Sequence, residues 1–319
     1  MHSEFELITR FFTPDPPGAE AGVTLGVGDD CTLLAPTPGQ RLAVSVDTSV
    51  AGSHFPADAP AAAVGHRALA VSLSDLAAMG ARARWCLMSL TLPAADDDAW
   101  LGNFARGFHA LCAATGTALV GGDVTRGKLA IGVTVMGEVP DGQALTRRGA
   151  RPGDLLAVTG ALGGGAGGLH AWRRGERDLG HPLLERYLQP QPRLAAGVAL
   201  RGLASAAIDI SDGLLADLGH VLEASSVGAE LITDSLPLAE GLVAALGEPG
   251  AREAALHGGD DYELLLGLSP DHLETARARL AAQGLALSVI GRVSDEPGVR
   301  GVPLEGERGW QHFTRGAAP

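Results

Sequence analysis

The chain has 319 residues, 46% of them hydrophobic, and carries 24 basic against 37 acidic side chains, a net charge of −13. The apolar fraction suffices for two ordinary domains or one large one. The acidic balance argues against nucleic acid or an anionic membrane surface as the main partner, and with Lys128 the single lysine and no G-x-x-x-x-G-K-[ST], P-loop chemistry is excluded.

In chain order, Glu4 to Phe12 is expected to form a short amphipathic helix with Phe5, Ile8 and Phe12 on one side. Gly26-Val27-Gly28-Asp29-Asp30 follows, where Asp30 is either a ligand group or part of a solvated turn. Arg41 to Asp47 reads as a strand whose apolar run stops at Asp47-Thr48, a common place for a ligand group, although a strand-end cap explains it equally well. His54 then contacts a ligand or caps a loop. Ala59 to Met79 is a helix with Gly80 as its C-cap. Its last turns, Ser74-Asp75-Leu76-Ala77-Ala78-Met79-Gly80, hold one carboxylate in an apolar segment. Burying that charge alone would cost several kcal/mol, so Asp75 is expected to have a cationic partner.

Arg84 to Leu92 is a second strand, and a helix from Asp96–Asp98 to about Thr115 follows, its acidic start suited to the positive end of the dipole. Ala118-Leu119-Val120-Gly121-Gly122-Asp123 repeats the pattern of apolar strand, small residues and Asp, with Gly-Gly allowing a phosphate to lie against backbone N–H groups. Leu129 to Val139 is a strand. Arg147, Arg148 and Arg151 form a basic island beside a Gly turn, suited to phosphate or to a solvated linker, and the domain boundary is placed here, between 1–145 and 146–319.

In the second part, Leu155 to Thr159 is a strand and Gly160 to Gly168 a glycine-rich loop. Helices over Leu183 to Leu203, to about Ser225 and over Asp271 to Gln283 alternate with strands over Ala229 to Ile232 and Leu287 to Val293. Asp209-Ile210-Ser211-Asp212-Gly213 is expected to turn into a helix, with Asp209 and Asp212 on one side and Ser211 as N-cap. Gly258-Gly259-Asp260-Asp261-Tyr262-Glu263 precedes another strand, and Trp310 lies in a late aromatic cluster that seals a core or stacks on a flat ligand. Cys31, Cys86 and Cys112 form no C-x-x-C and read as reduced thiols. With no run of about 18 apolar residues, the expectation is a soluble, cytoplasmic protein.

Each acidic motif is weak alone. Together, Asp30, Asp47, Asp75, Asp123, Asp209 and Asp212 all sit where an apolar segment meets a loop, and they would repel one another unless cations join them. Mg²⁺ suits carboxylate, water and phosphate oxygen, which explains how so acidic a chain would hold a polyphosphate.

These motifs, with Val46-Asp47-Thr48, Gly52-Ser53-His54-Phe55 and Trp310-Gln311-His312-Phe313 added, resemble the bacterial thiamine-monophosphate kinase family in order and over nearly the whole chain. The resemblance implies an α/β, two-domain aminoimidazole ribotide synthetase-like fold, with the N-terminal sheets of two subunits paired into a barrel-like homodimer. It implies phosphorylation of thiamine monophosphate by ATP to thiamine diphosphate. On this resemblance Asp30, Ser45, Val46 (by its carbonyl), Asp47, Asp75, Asp123, Asp209 and Asp212 hold several Mg²⁺ ions. Gly122, Asp123, Arg147 and Ser211 contact ATP; His54, Asp260 and Trp310 contact thiamine monophosphate; Asp47, Asp75, Asp123 and Asp212 are the catalytic set. Two residues depart from the pattern: Asp260 stands where Glu is usual, and Arg148 where a small residue is common. Two other classes are a ligase or cyclase that activates a carbonyl oxygen with ATP, and a nucleotide-binding module without chemistry.

Overall fold

The computed structural model describes residues 3–13, 22–94 and 97–302. Trp310 lies outside the described residues. The chain packs as two units: described residues up to Leu76 with Ala81–Ala144, and Ala77–Gly80 with the described residues from Leu145 on.

In the first unit, α1 (Glu4–Leu7) runs into a π-helical turn, Ile8–Phe12. A two-stranded ribbon, β1 (Val23–Leu25) and β2 (Leu33–Leu34), flanks the Gly26–Asp30 turn. The main sheet comprises β3 (Gln40–Val50), β4 (Arg82–Leu92), β5 (Ala118–Arg126) and β6 (Ala130–Pro140), ordered β3-β6-β4-β5. The β4–β5 pair is parallel and the others antiparallel, so β4 and β5 need a crossover, which α3 (Asp98–Thr115) supplies. Asp97 caps α3 by accepting the Trp100 N–H at 2.9 Å.

Asp47 is not at a strand end, as its sequence suggested. β3 runs three residues past it because β6 pairs along the whole length, Asp47 lying opposite Val133. An edge strand with one open face tolerates Asp, Thr and Ser without breaking its ladder.

The helix α2 (Ala61–Ala78) is apolar on nearly all sides and is buried accordingly. Gly80 closes it: the Gly80 N–H reaches the Ala77 carbonyl at 2.9 Å and the Ala81 N–H the Leu76 carbonyl at 2.8 Å, the bond pair of a Schellman cap.

The second unit holds a six-stranded sheet of β7 (Leu155–Thr159), β8 (Ala204–Asp209), β9 (Gly228–Leu231), β10 (Leu264–Leu268), β11 (Leu287–Ser294) and β12 (Gly298–Arg300), ordered β12-β9-β11-β7-β10-β8. Its central strands are buried on both faces. Leu156, Val158, Ile208 and Leu265 join one apolar cluster with Leu214, Leu218 and Val221, and the alternate residues Ala157, Ala207, Leu264 and Leu266 join another with Leu200, Ala276 and Leu280. The helices are α4 (Gly164–Arg173), α5 (Pro182–Leu188), α6 (Leu194–Ala199), α7 (Leu214–Ser225), α8 (Leu242–His257) and α9 (Leu273–Ala281).

Three expectations change here. The glycine-rich stretch is mostly the helix α4, because its small residues let it pack against α5; a Cβ on Gly168 would overlap the Leu183 carbonyl. Ser211 does not cap a helix: α7 starts at Leu214 after Gly213 and has no side-chain cap. Asp209 is therefore the last residue of β8, and helical spacing does not relate it to Asp212.

Candidate active site

In the first unit, Asp30, Gly122 and Asp123 line one cavity of about 690 Å³. Its apolar wall comes from Phe5, Ile8 and Phe12, the side chains the N-terminal pattern placed together, and from Leu87 and Leu119. Gly122 is required by packing as well as by access. Its φ is 155°, and a Cβ there would overlap the Met88 carbonyl oxygen on the parallel neighbour β4.

Ser45, Val46 and Asp47 lie on β3, with Ser45 and Asp47 on one face by their spacing. The Ser45 hydroxyl donates a short hydrogen bond to the Asp75 carboxylate. The half-buried Asp75 thus has a hydroxyl partner among the described residues. It stands one turn from the C-terminal, electronegative end of α2, where a carboxylate is disfavoured and a cation would relieve it. His54 turns back on its own loop, its Nδ1 accepting the Val50 N–H at 3.0 Å.

In the second unit, Asp209, Ser211, Asp212 and Asp260 form one backbone assembly. The Asp260 N–H donates to the Ser211 carbonyl at 2.8 Å, and the Tyr262 N–H to the Ile210 carbonyl at 2.8 Å. Asp260 and Tyr262 both have positive φ, 68° and 51°, a conformation that costs non-glycine residues about 1–3 kcal/mol each. The Tyr262 hydroxyl donates to the Asp260 carboxylate at 2.8 Å. Arg147 and Arg148 are exposed, and their carbonyls accept from the hydroxyls of Ser225 and Thr146.

Within neither unit do three or more His, Cys, Asp or Glu side chains among the described residues converge tightly enough to grip a metal ion.

Sequence reasoning passed over three buried acids behind this assembly. Asp217 accepts the N–H groups of Ser211, Asp212 and Gly213. Burial, and secondarily the charge of Asp212, push its carboxyl up to about 7. Asp261 accepts the N–H groups of Gly163 and Gly165 at 2.7 and 3.1 Å. Glu263 is gripped by Arg186, Arg193 and Thr159. Asp217 finds its donors within six residues of chain, at a turn that the sequence pattern reads as helix, whereas the partners of Asp261 and Glu263 lie at least 70 residues away.

Burial also pushes the Asp261 carboxyl up to about 7, against the two N–H bonds that favour its ionised form. The folded state then keeps a proton that an unfolded carboxyl, near 3.8, has lost. The resulting stability is fully present below about pH 4 and is lost as pH rises through about 7. Asp261→Asn is expected to flatten that fall in urea-unfolding measurements of the second unit, leaving the parallel contribution of Asp217. An unchanged slope would show that Asp261 does not titrate in this window.

The chain carries both domains of the AIR synthase related class: the N-terminal domain model matches residues 28–139 and the C-terminal domain model residues 151–302. It is 41% identical to Thiamine-monophosphate kinase of Salmonella typhimurium, over 97% of this chain and 98% of that one. Thiamine-monophosphate kinase from Stenotrophomonas maltophilia superposes with a TM-score of 0.83 at 43% identity, over 93% of this chain and 94% of that one. AaThiL complexed with AMPPCP and TMP superposes with a TM-score of 0.78 at 31% identity, over 88% of this chain and 89% of that one. The chain belongs to the thiamine-monophosphate kinase family.

Proposed function

We propose that the protein transfers the γ-phosphoryl group of ATP directly to the phosphate of thiamine monophosphate, giving ADP and thiamine diphosphate. The observation that carries this reading is the cavity of the first unit, which joins Asp30, Gly122 and Asp123 to an apolar wall. Its volume suits a nucleotide-sized ligand, with the base against Phe5, Ile8 and Phe12 and the phosphates toward Asp123. Arg147 and Ser211 add contacts to ATP. His54, Asp260 and Trp310 contact thiamine monophosphate. Asp260, one methylene shorter than the usual Glu, is held by the Tyr262 hydroxyl.

The donor set of Asp30, Ser45, the Val46 carbonyl, Asp47, Asp75, Asp123, Asp209 and Asp212 is all oxygen, which fits Mg²⁺ and not zinc. Bound there, Mg²⁺ would cancel the repulsion between two phosphates. At ~4 Å that repulsion is about 4 kcal/mol per pair of unit charges for an effective dielectric near 20. The attacking phosphate oxygen is already anionic, so the protein needs no strong general base. Its task is alignment: Asp47, Asp75, Asp123 and Asp212 would hold the Mg²⁺ that brings the acceptor and donor phosphates together, and Arg147 supplies a permanent charge.

The same reading makes the protein a cytoplasmic homodimer, with residues 1–145 carrying dimerisation and most of the nucleotide site and 146–319 completing the substrate site. No described helix is long and apolar enough to cross a membrane. Leu42, Val44 and Val46 form an apolar stripe on the edge strand β3 and are 49%, 60% and 62% exposed. A second copy is the occupant this reading assigns to it. Val44→Asp is expected to yield monomers in analytical ultracentrifugation, and an unchanged dimer would move the interface elsewhere.

The reaction is tested by incubating the protein with ATP, Mg²⁺ and thiamine monophosphate and separating the products. Thiamine diphosphate is expected from the monophosphate and not from free thiamine. ATP binding without any product would overturn the reading.

A further inference from the structure

The acidic loop of the second unit is held from behind by a residue outside it. Ser211, Asp212 and Gly213 place three consecutive N–H groups at the start of α7, which no side chain N-caps in the ordinary way. Such a set makes a concave, positive nest that attracts anions. Here the nest is filled from within. The Oδ2 atom of Asp217, four residues past Gly213, accepts all three N–H groups at 3.0, 3.1 and 3.2 Å, and Asp217 is 3% exposed. On its other side the segment is tied through the Ser211 and Ile210 carbonyls to the N–H groups of Asp260 and Tyr262. The backbone of Ser211 is therefore used on both sides. What the loop can offer a ligand is side-chain oxygen, not backbone N–H.

We propose that Asp217 is a positioning residue of the phosphoryl-transfer site: by occupying the N–H nest it fixes the Ser211–Gly213 backbone and converts an anion-binding turn into one that presents Asp209 and Asp212 to a divalent cation. The proposal rests on the reading of Asp209 and Asp212 as Mg²⁺ ligands. Asp217 touches no substrate and acts only through the loop. Removing the support of a metal ligand typically weakens binding by about ten- to a hundredfold.

The test uses the full chain and Mn²⁺ alone as probe. In Asp217→Ala, Mn²⁺ affinity measured by calorimetry without ATP or thiamine monophosphate is expected to fall about tenfold or more. The Mg²⁺ concentration for half-maximal turnover rises in step, and inorganic phosphate inhibits the variant more strongly than the parent, because the nest is open. Asp217→Asn, which keeps an acceptor oxygen, falls between the two. A purely structural role would lower stability without raising phosphate sensitivity. A folded Asp217→Ala with parental Mn²⁺ affinity and phosphate sensitivity overturns the proposal. Should neither variant fold, amide hydrogen exchange of the parent decides: protection of the Ser211, Asp212 and Gly213 amides supports it, and rapid exchange at all three refutes it. Parent protein that makes no thiamine diphosphate, yet gives the expected Mn²⁺ and exchange results, would show that the reaction was misread and the role of Asp217 was not.

Discussion

Asp75→Asn is expected to lower kcat by at least about a hundredfold while leaving the unfolding free energy unchanged to within about 1 kcal/mol. The two halves of the expectation have separate causes. Asn has the shape of Asp and keeps an oxygen that accepts the Ser45 hydroxyl hydrogen bond, so the local packing survives. The cap of α2 also survives, since it is made by backbone groups of Leu76, Ala77, Gly80 and Ala81. What disappears is a negative charge at the electronegative end of a buried helix. That charge is unfavourable at this end of a helix, and the proposed function gives it a cation. Removing it leaves stability the same or slightly higher and, on the proposed reading, takes away one ligand for Mg²⁺. The measurement is kcat at saturating ATP and thiamine monophosphate, beside a thermal melt. Asp47→Asn should behave alike, as Asp47 sits on the half-open face of β3. Full activity in either variant would remove that carboxylate from the site.

Glu263→Gln should destabilise the second unit by about 3 kcal/mol, the lower end of the cost of breaking a buried ion pair from one side. Glu263 is fully buried. Its carboxylate accepts from Arg193 at 2.7 and 2.6 Å, from Arg186 at 2.8 Å and from the Thr159 hydroxyl at 2.8 Å. The isosteric amide turns one acceptor into a donor that faces guanidinium groups, so it loses bonds as well as charge. The lower end of the range applies because the Arg186 and Arg193 side chains stay 30% and 21% exposed and can recover some hydration. The effect should reach the site: the Glu263 carbonyl accepts the Ile210 N–H, and the strained turn carrying Asp260 ends at this residue. Urea unfolding followed by second-unit probes measures the loss. A change under about 1 kcal/mol would mean that the two arginines are satisfied by water and that the network contributes little.

Much of the fold was legible from local pattern. α2, β4, β7 and α7 announce themselves by apolar runs or periodicity, and Gly80 marks a helix end because its backbone chemistry is local. Other elements were hidden for identifiable reasons. α8 carries Gly247, Pro249 and Gly250, residues that read as a turn, and the helix kinks there at Gly247 with a φ of 70°. α4 looked like a loop because its glycines serve contact with α5, which no window of sequence reveals. β3 was cut short at Asp47 because alternation on an open edge strand lets polar residues continue a ladder that β6 enforces.

The candidate site divides along the same line. The sequence by itself determined the acidic candidate residues, the absence of a P-loop motif, the places where apolar segments give way to Asp, and the family resemblance. These depend on residue type and near-neighbour spacing, and such information is complete within a few residues of chain. Tertiary structure alone decided that Asp30 and Asp123, far apart in sequence, line one cavity, and that Ser45 meets Asp75. It alone placed Arg186 and Arg193 on Glu263 and tied the Asp260 turn to Ser211. The reason is physical. A buried carboxylate must find donors wherever folding brings them, and the energy that selects those donors comes from excluding water around the finished pair, which exists only after the strands between them have closed.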